Sequence, residues 1–269
     1  MIDLQEALFK VQKWVKKAGA LQREKLGKRG LRVSVKSGDE LISEVDEMSE
    51  KLLLEAVSEH YPGHAILSEE SGRCSGDESE YLWVIDSLDG TGNFSRGISH
   101  FAISVALRYR GETVLGTVYQ PVLEELFQAV KGSGAFLNGK QIKVSEQKVL
   151  KEAFLGSCFP YDKSTCEDNN VNYFAHFVSR VRGVAVMNSP AYDLACVAAG
   201  RFDGYWGINF EPWDVEAGAL LVKEAGGEVI FFTEKRGVSL AAGNRAILNG
   251  IVREMQNVDL NGNSYNPSR

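Results

Sequence analysis

Four acidic residues stand where apolar runs end. Glu69 follows the run at 65–67, Asp86 and Asp89 follow the run at 81–85, and Asp214 opens a later helical pattern. Carboxylates gathered without lysine or arginine partners repel one another. A hard divalent cation held by oxygen ligands relieves that repulsion, and Mg²⁺ is the natural occupant. Asp86 and Asp89 lie three residues apart, with the Leu88 carbonyl between them as a further oxygen. Gly90 allows close backbone approach, and if Thr91 starts a short helix, the N–H groups of Gly90, Thr91 and Gly92 lack intrahelical acceptors and favour an anion such as phosphate. Asp-x-x-Asp-Gly alone is also the composition of an ordinary turn. Its weight rests on its company: Ser68-Glu69-Glu70 upstream and Pro212-Trp213-Asp214 downstream.

The elements that must position these groups are read from periodicity. Leu4, Ala7, Leu8, Val11, Val15, Ala18 and Leu21 recur at three- and four-residue spacing, an amphipathic helix that Gly27 helps to end. After an extended stretch near Val33 and Val35, Ser43 caps a second helix carrying Met48, Leu52, Leu53 and Val57, until Tyr61-Pro62-Gly63 turns the chain. Residues 65–67 read as a buried strand, and 81–85 as another that empties into a polar loop at Asp86. Runs at 101–109, 113–119 and 126–130 read as antiparallel strands, and Asn138-Gly139 as a hairpin turn. Further on, strands at 153–157, 184–187, 203–206 and 228–232 alternate with helices at 172–181, 192–199 and 213–225. The expectation is one domain over 1–269: an α+β half (about 1–145) and an α/β half (about 146–257) meeting at the acidic cluster, then a polar tail at 258–269.

At 269 residues, 44% hydrophobic and 25% charged, the chain has the composition of a folded protein with a substantial core. A net charge of −6 argues against direct nucleic-acid binding, which depends on neutralising phosphates. The basic stretch from Arg23 to Arg32 reads as a solvated helix end. Cys74, Cys158, Cys166 and Cys196 form no Cys-x-x-Cys pair, which favours reduced thiols in a cytoplasmic protein. No apolar stretch approaches the roughly 20 residues of a membrane span. His60 and His64 straddle Pro62-Gly63 and do not share a helix face as zinc ligands would. Gly132-Ser133-Gly134 lacks the following helix of a dinucleotide site, and there is no Gly-x-Ser-x-Gly elbow of a serine hydrolase. Trp83, Phe101 and Trp213 read as core.

Three segments, in order along nearly the whole chain, resemble the inositol monophosphatase family: Ser68-Glu69-Glu70-Ser71, then Trp83-Val84-Ile85-Asp86-Ser87-Leu88-Asp89-Gly90-Thr91-Gly92-Asn93-Phe94, then Pro212-Trp213-Asp214 leading through Glu216-Ala217-Gly218 to Glu224-Ala225-Gly226-Gly227. The resemblance implies a layered α/β/α/β/α sandwich of the inositol monophosphatase and fructose-1,6-bisphosphatase type, usually a homodimer. It assigns Mg²⁺ ligation to Glu69, Asp86, the Leu88 carbonyl, Asp89 and Asp214. It implies that Glu69, and Thr91 supported by Asp46, activate water for in-line attack on phosphorus. Asp89, Gly90, Thr91, Gly92, Ser189, Pro190 and Asp214 would bind the substrate. The implied reaction is hydrolysis of a small phosphate monoester, either inositol monophosphate or a related polyol or sugar phosphate. Histidinol phosphate and adenosine 3′,5′-bisphosphate are the alternatives, as is a regulatory protein-binding role on the same fold.

The chain departs from the family pattern in places. Ser87 replaces a usual proline and Gly92 a usual second threonine, with every proposed ligand type intact. Asn188-Ser189-Pro190-Ala191 stands where Gly-Ser-Ala-Ala is common, and Gly207 takes the place of an acidic residue that holds inositol hydroxyls in typical members. Loss of that carboxylate shifts the expectation away from strict inositol specificity. Lys36, in the loop before Asp46 that is mobile in the family, reads as a solvated lysine or as a contact to phosphate. Glu211 reads as surface or as a substitute for the missing acid.

Overall fold

The computed structural model describes residues 2–28, 30–37, 40–74, 76, 79–232 and 237–260. Helix α1 (Leu4–Lys25) starts on Asp3, whose carboxylate accepts the N–H groups of Gln5 and Glu6. The hairpin β1 (Val33–Ser37) and β2 (Glu40–Ser43) leads into α2 (Glu44–His60), which opens with a capping box: the Ser43 hydroxyl accepts from Val45 N–H, and Asp46 accepts from Ser43 N–H at 2.9 Å. Strands β3 (Ala65–Ser68), β4 (Gly72–Cys74) and β5 (Tyr81–Asp89) precede the short α3 (Thr91–Ser95). Then β6 (Ala102–Tyr109), β7 (Glu112–Gln120), β8 (Glu125–Val130), β9 (Ala135–Leu137) and β10 (Lys140–Gln141) complete an eight-stranded sheet of order β10-β9-β8-β7-β6-β5-β3-β4. Among the described residues, only β3 and β5 pair in parallel within it.

The rest of the chain builds a second sheet from β11 (Phe154–Ser157), α4 (Val171–Phe177), β12 (Gly183–Val186), α5 (Pro190–Ala198), β13 (Gly204–Phe210), α6 (Pro212–Glu224), β14 (Glu228–Phe232), β15 (Val238–Gly243) and α7 (Arg245–Leu260). Its order is β12-β11-β13-β15-β14, parallel across β12, β11 and β13 and antiparallel across β13, β15 and β14. Alternation along the strands assigns the layers, because successive side chains leave opposite faces of a sheet. Trp83, Ile85, Val105 and Leu107 pack with Val11, Trp14, Val15 and Leu53 of α1 and α2, whereas Val84, Ala106 and Val118 pack with Leu194, Ala195, Leu220 and Leu221 of α5 and α6. On the far side of the second sheet, Leu155, Trp206 and Ala241 bury against Phe177 of α4 and Ile247, Leu248 and Ile251 of α7. The result is α1/α2, sheet, α5/α6, sheet, α4/α7, the α/β/α/β/α sandwich that the sequence resemblance implies.

Several elements differ from expectation. The strand at 81–85 does not end in a loop at Asp86; β5 runs on to Asp89 through an irregularity. Helix α4 is shorter than 172–181 because the chain leaves the helix at Val178, while β13 extends four residues past Trp206 to Phe210. Strand β15 and helix α7 were not anticipated. The expected tail at 258 is still helix, with Val258 buried, and 261–269 lie outside the described residues.

Candidate active site

The irregularity in β5 is what gathers the first two carboxylates. Asp86 pairs with Ser104 and Asp89 with Ala102, so β5 advances three residues where β6 advances two: a β-bulge. In a regular strand, residues three apart point to opposite faces. The extra residue lets Asp86 and Asp89 line one pocket, which Glu69, just past β3, and Asp214, in the first turn of α6, also line. Gly90 follows with φ +95°, a left-handed conformation that suits glycine, and a Cβ there would sit 3.1 Å from the His100 carbonyl. Thr91 begins α3, so the predicted short helix is present.

Protein donors hold one oxygen of each aspartate. Asp86 Oδ1 accepts from Leu88 N–H at 2.8 Å, and Asp214 Oδ2 from Glu211 N–H at 2.8 Å. Asp89 Oδ2 accepts from the Ser189 hydroxyl at 2.7 Å and from the N–H groups of Ala191 (3.0 Å) and Tyr192 (3.2 Å), so the first turn of α5 and its dipole anchor it. Thr91 Oγ1 lies 2.6 Å from Asp46 Oδ1 and 3.1 Å from the Leu88 carbonyl, and the shorter bond, to a carboxylate, takes the hydroxyl proton. Asp46 is 1% exposed. Its burial raises its pKa, against the opposing hydrogen bonds from Ser43 and Thr91.

The four carboxylates disfavour one another's ionisation. Burial first, then the charges of Asp214 and Glu70, push Glu69 up, and burial with the charges of Glu69, Asp89 and Asp214 does the same to Asp86. Burial lifts Asp89 to about 7 despite the Ser189 bond, and burial with the Asp89 charge lifts Asp214 to about 8. Lys36 is exposed, as a solvated lysine would be, but is ion-paired. Its ammonium reaches Glu70 at 3.0 Å, Glu40 at 3.2 Å and Glu69 at 3.8 Å, and although burial alone would lower its pKa, these acids raise it.

The pocket has a volume of about 410 Å³, and none of its described lining residues is Lys, Arg or His. Among the described residues no three His, Cys, Asp or Glu side chains are grouped closely enough to hold an ion as they stand. Mg²⁺ keeps several of its waters and takes one or two carboxylates in direct contact, and oxygen donors suit it better than they suit Zn²⁺ in a closed cage of nitrogen and sulfur ligands. Hard carboxylate and carbonyl oxygens that repel one another, relieved in part by Lys36 at 3.8 Å from Glu69, fit Mg²⁺.

Of the residues singled out by sequence, Glu69, Asp86, Leu88, Asp89, Gly90, Thr91, Pro190 and Asp214 line this one pocket. Asp46 and Ser189 do not: both are buried, Asp46 behind Thr91 and Ser189 behind Asp89. Gly92 sits within α3, its carbonyl accepting from Ser95 Oγ at 2.9 Å. Trp213, expected in the core, is half-buried at the pocket wall, whereas Trp83 and Phe101 are core. Glu211 is exposed and lines the rim. His64 accepts from Trp83 Nε1 at 3.1 Å and stacks on Tyr81, a packing role.

The sequence reading missed the wall made by Phe159, Tyr161, Ile208 and Phe210. It also missed Asp193, which is buried, pairs with His100 Nε2 at 2.8 Å and adds its charge to those raising Asp89. An acidic residue in the first turn of a helix was the available signal for Asp193; no local pattern marks the wall. All four cysteines are free thiols. No described helix is long and apolar enough to cross a membrane.

Comparison with known proteins agrees with this geometry. The model of the inositol monophosphatase family matches residues 3–259. The chain is 43% identical over 205 residues to Nus factor SuhB of Pseudomonas aeruginosa, covering 75% of this chain and 76% of that one. It is 34% identical over 250 residues to inositol-1-monophosphatase of Mesorhizobium japonicum, covering 91% and 94%. Among solved structures, the inositol monophosphatase of Anabaena (Nostoc) superposes with a TM-score of 0.85 at 35% identity, covering 95% of this chain and 97% of the other. The extragenic suppressor protein suhB of Bartonella henselae gives 0.87 at 33%, covering 93% and 98%. Matched nearly end to end in sequence and in fold, the chain belongs to the inositol monophosphatase family and is a phosphoric monoester hydrolase.

Proposed function

We propose that the chain hydrolyses a small-molecule phosphate monoester with Mg²⁺, by attack of an activated water on phosphorus. The observation that carries this reading is the meeting of Glu69, Asp86, Asp89 and Asp214 with the Thr91–Asp46 pair at one pocket. Glu69, Asp86, the Leu88 carbonyl, Asp89 and Asp214 would hold the metal. Bound Mg²⁺ lowers the pKa of water and offsets charge spreading over the phosphoryl oxygens. Thr91 donates its hydroxyl proton to Asp46, so its oxygen can accept from a water; as it takes the water's proton, its own would pass to the Asp46 carboxylate. Glu69 assists as a second acceptor. At the start of α3 the N–H groups of Thr91 and Gly92 have no acceptor within the helix and would be available to a phosphate, while Asp89 and Asp214 are held in place by backbone N–H groups.

The test is phosphate release from a panel of polyol, sugar and nucleotide monophosphates, with Mg²⁺ and with EDTA. Mg²⁺-dependent release supports the reading, and release unaffected by EDTA overturns the metal assignment. The relatives named Nus factor SuhB favour a second reading, a protein-binding role beside the hydrolytic one. An Asp89→Asn variant without turnover that still rescues a strain lacking this chain would support it.

A further inference from the structure

The pocket offers its metal-binding oxygens at one part of its lining. Beside Asp162, Asn188 and Glu211, much of the remainder is apolar: Phe159, Pro160, Tyr161, Ile208, Phe210 and Trp213. Phe210, 4% exposed, is one member of this wall, and a second bulge puts it there. Gly207 of β13 pairs with Leu240 and Phe210 with Val238, so β13 advances three residues while β15 advances two. Asn209 takes the strain of the bulge at φ +59°. It is held there by its N–H to Ser239 Oγ at 3.1 Å and by its Nδ2, which lies 3.0 Å from both the carbonyl and a carboxylate oxygen of Asp168. The ring of Phe210 is thereby folded over Gly207: a Cβ at 207 would stand 2.3 Å from Phe210 Cζ. Nothing larger than glycine fits at 207 while the ring is in place.

Resting on the hydrolysis proposed above, the geometry points to a leaving group that is an alcohol bearing an aromatic or other flat apolar body, with Phe210 over Gly207 as the specificity-determining pair. Ring faces cannot replace the water bonds of a polyol, so each hydroxyl pressed against them is left unpaired, whereas an apolar body gains contact. Asn209 Nδ2 is committed to Asp168 and does not donate to such hydroxyls, and its unpartnered Oδ1 is buried.

The test uses the full chain with Mg²⁺ and three alkyl phosphates of similar intrinsic reactivity: 2-phenylethyl phosphate, inositol 1-phosphate and glycerol 2-phosphate. The expected result is a kcat/KM for 2-phenylethyl phosphate at least about tenfold above that for inositol 1-phosphate. Phe210→Ala should raise KM for 2-phenylethyl phosphate with less change in kcat. If that variant does not fold, Tyr161→Ala, at the half-exposed rim, should do the same more weakly. Equal or faster turnover of inositol 1-phosphate overturns the proposal while leaving hydrolysis intact. No Mg²⁺-dependent release from any of the three overturns the hydrolytic reading and this proposal with it.

Discussion

Asp89 is the most firmly held of the four carboxylates, with one hydroxyl and two backbone N–H groups on a single oxygen. An amide can keep that oxygen while losing the charge, so Asp89→Asn should fold as the parent does and lose about 10²-fold or more in kcat. Phosphate-release kinetics beside a calorimetric melt check both halves, and full activity in the variant sinks the metal assignment. Thr91 and Asp46 act as one unit if the short bond between them directs the hydroxyl. Thr91→Val and Asp46→Asn should then each lower kcat, and the double variant should be little slower than the worse single one. Multiplied losses in the double variant would show the two residues to be independent.

Helix α6 carries Asp214 and is wedged between the two sheets by small residues. A Cβ on Gly218 would come 2.5 Å from Leu194 Cβ of α5, and one on Gly116 of β7 would come 2.9 Å from the Ala217 carbonyl. Gly218→Val should therefore cost about 1–3 kcal/mol by overpacking. By displacing the first turn of the helix it should also lower kcat more than KM; unfolding curves and steady-state kinetics report the two effects separately. At this scale the sequence was informative wherever a pattern is local. The Ser43 cap, the apolar stripe of α1 and the Pro212-Trp213-Asp214 start of α6 all read directly. The bulges could not be read, because an extra residue on β5 or β13 is defined only against its partner strand, and so the strand that brings Asp86 and Asp89 together looked like a loop. The wall around Phe210 was hidden for the same reason. Strand β15 escaped because Val238-Ser239-Leu240-Ala241-Ala242-Gly243 is short and small-residued, without polar alternation. For α7 the signal was present in Ile247, Leu248, Ile251, Met255 and Val258, spaced for one helix face, with Asn244 Oδ1 accepting the N–H groups of Ala246 and Ile247 before it.

For the molecule as a whole, the clustered acids tie stability to pH and to metal. In the metal-free protein Asp89 is raised to about 7 and Asp214 to about 8, above the ordinary carboxylate value they have when unfolded. The native state then binds more protons than the unfolded state between about pH 4 and 8, so the stabilising contribution, complete below that window, is lost as pH rises through it. In EDTA the melting temperature should fall from pH 5 to pH 8. Mg²⁺ binds the ionised carboxylates of the native state, so it should raise the melting temperature most at the upper end and flatten the slope. Calorimetry at four pH values, with and without Mg²⁺, tests this, and a metal-free melting temperature that climbs with pH would contradict it.

The place of β15 also orders events during synthesis. This strand, at 238–243, lies between β13 and β14, which precede it in the chain. Until it leaves the ribosome, β13 and β14 each keep an unpaired edge, the kind of template that invites association with other chains. The eight-stranded sheet ends at Gln141 and can be complete long before. The second sheet, and with it the settled position of Asp214, must wait until residue 243 has been made.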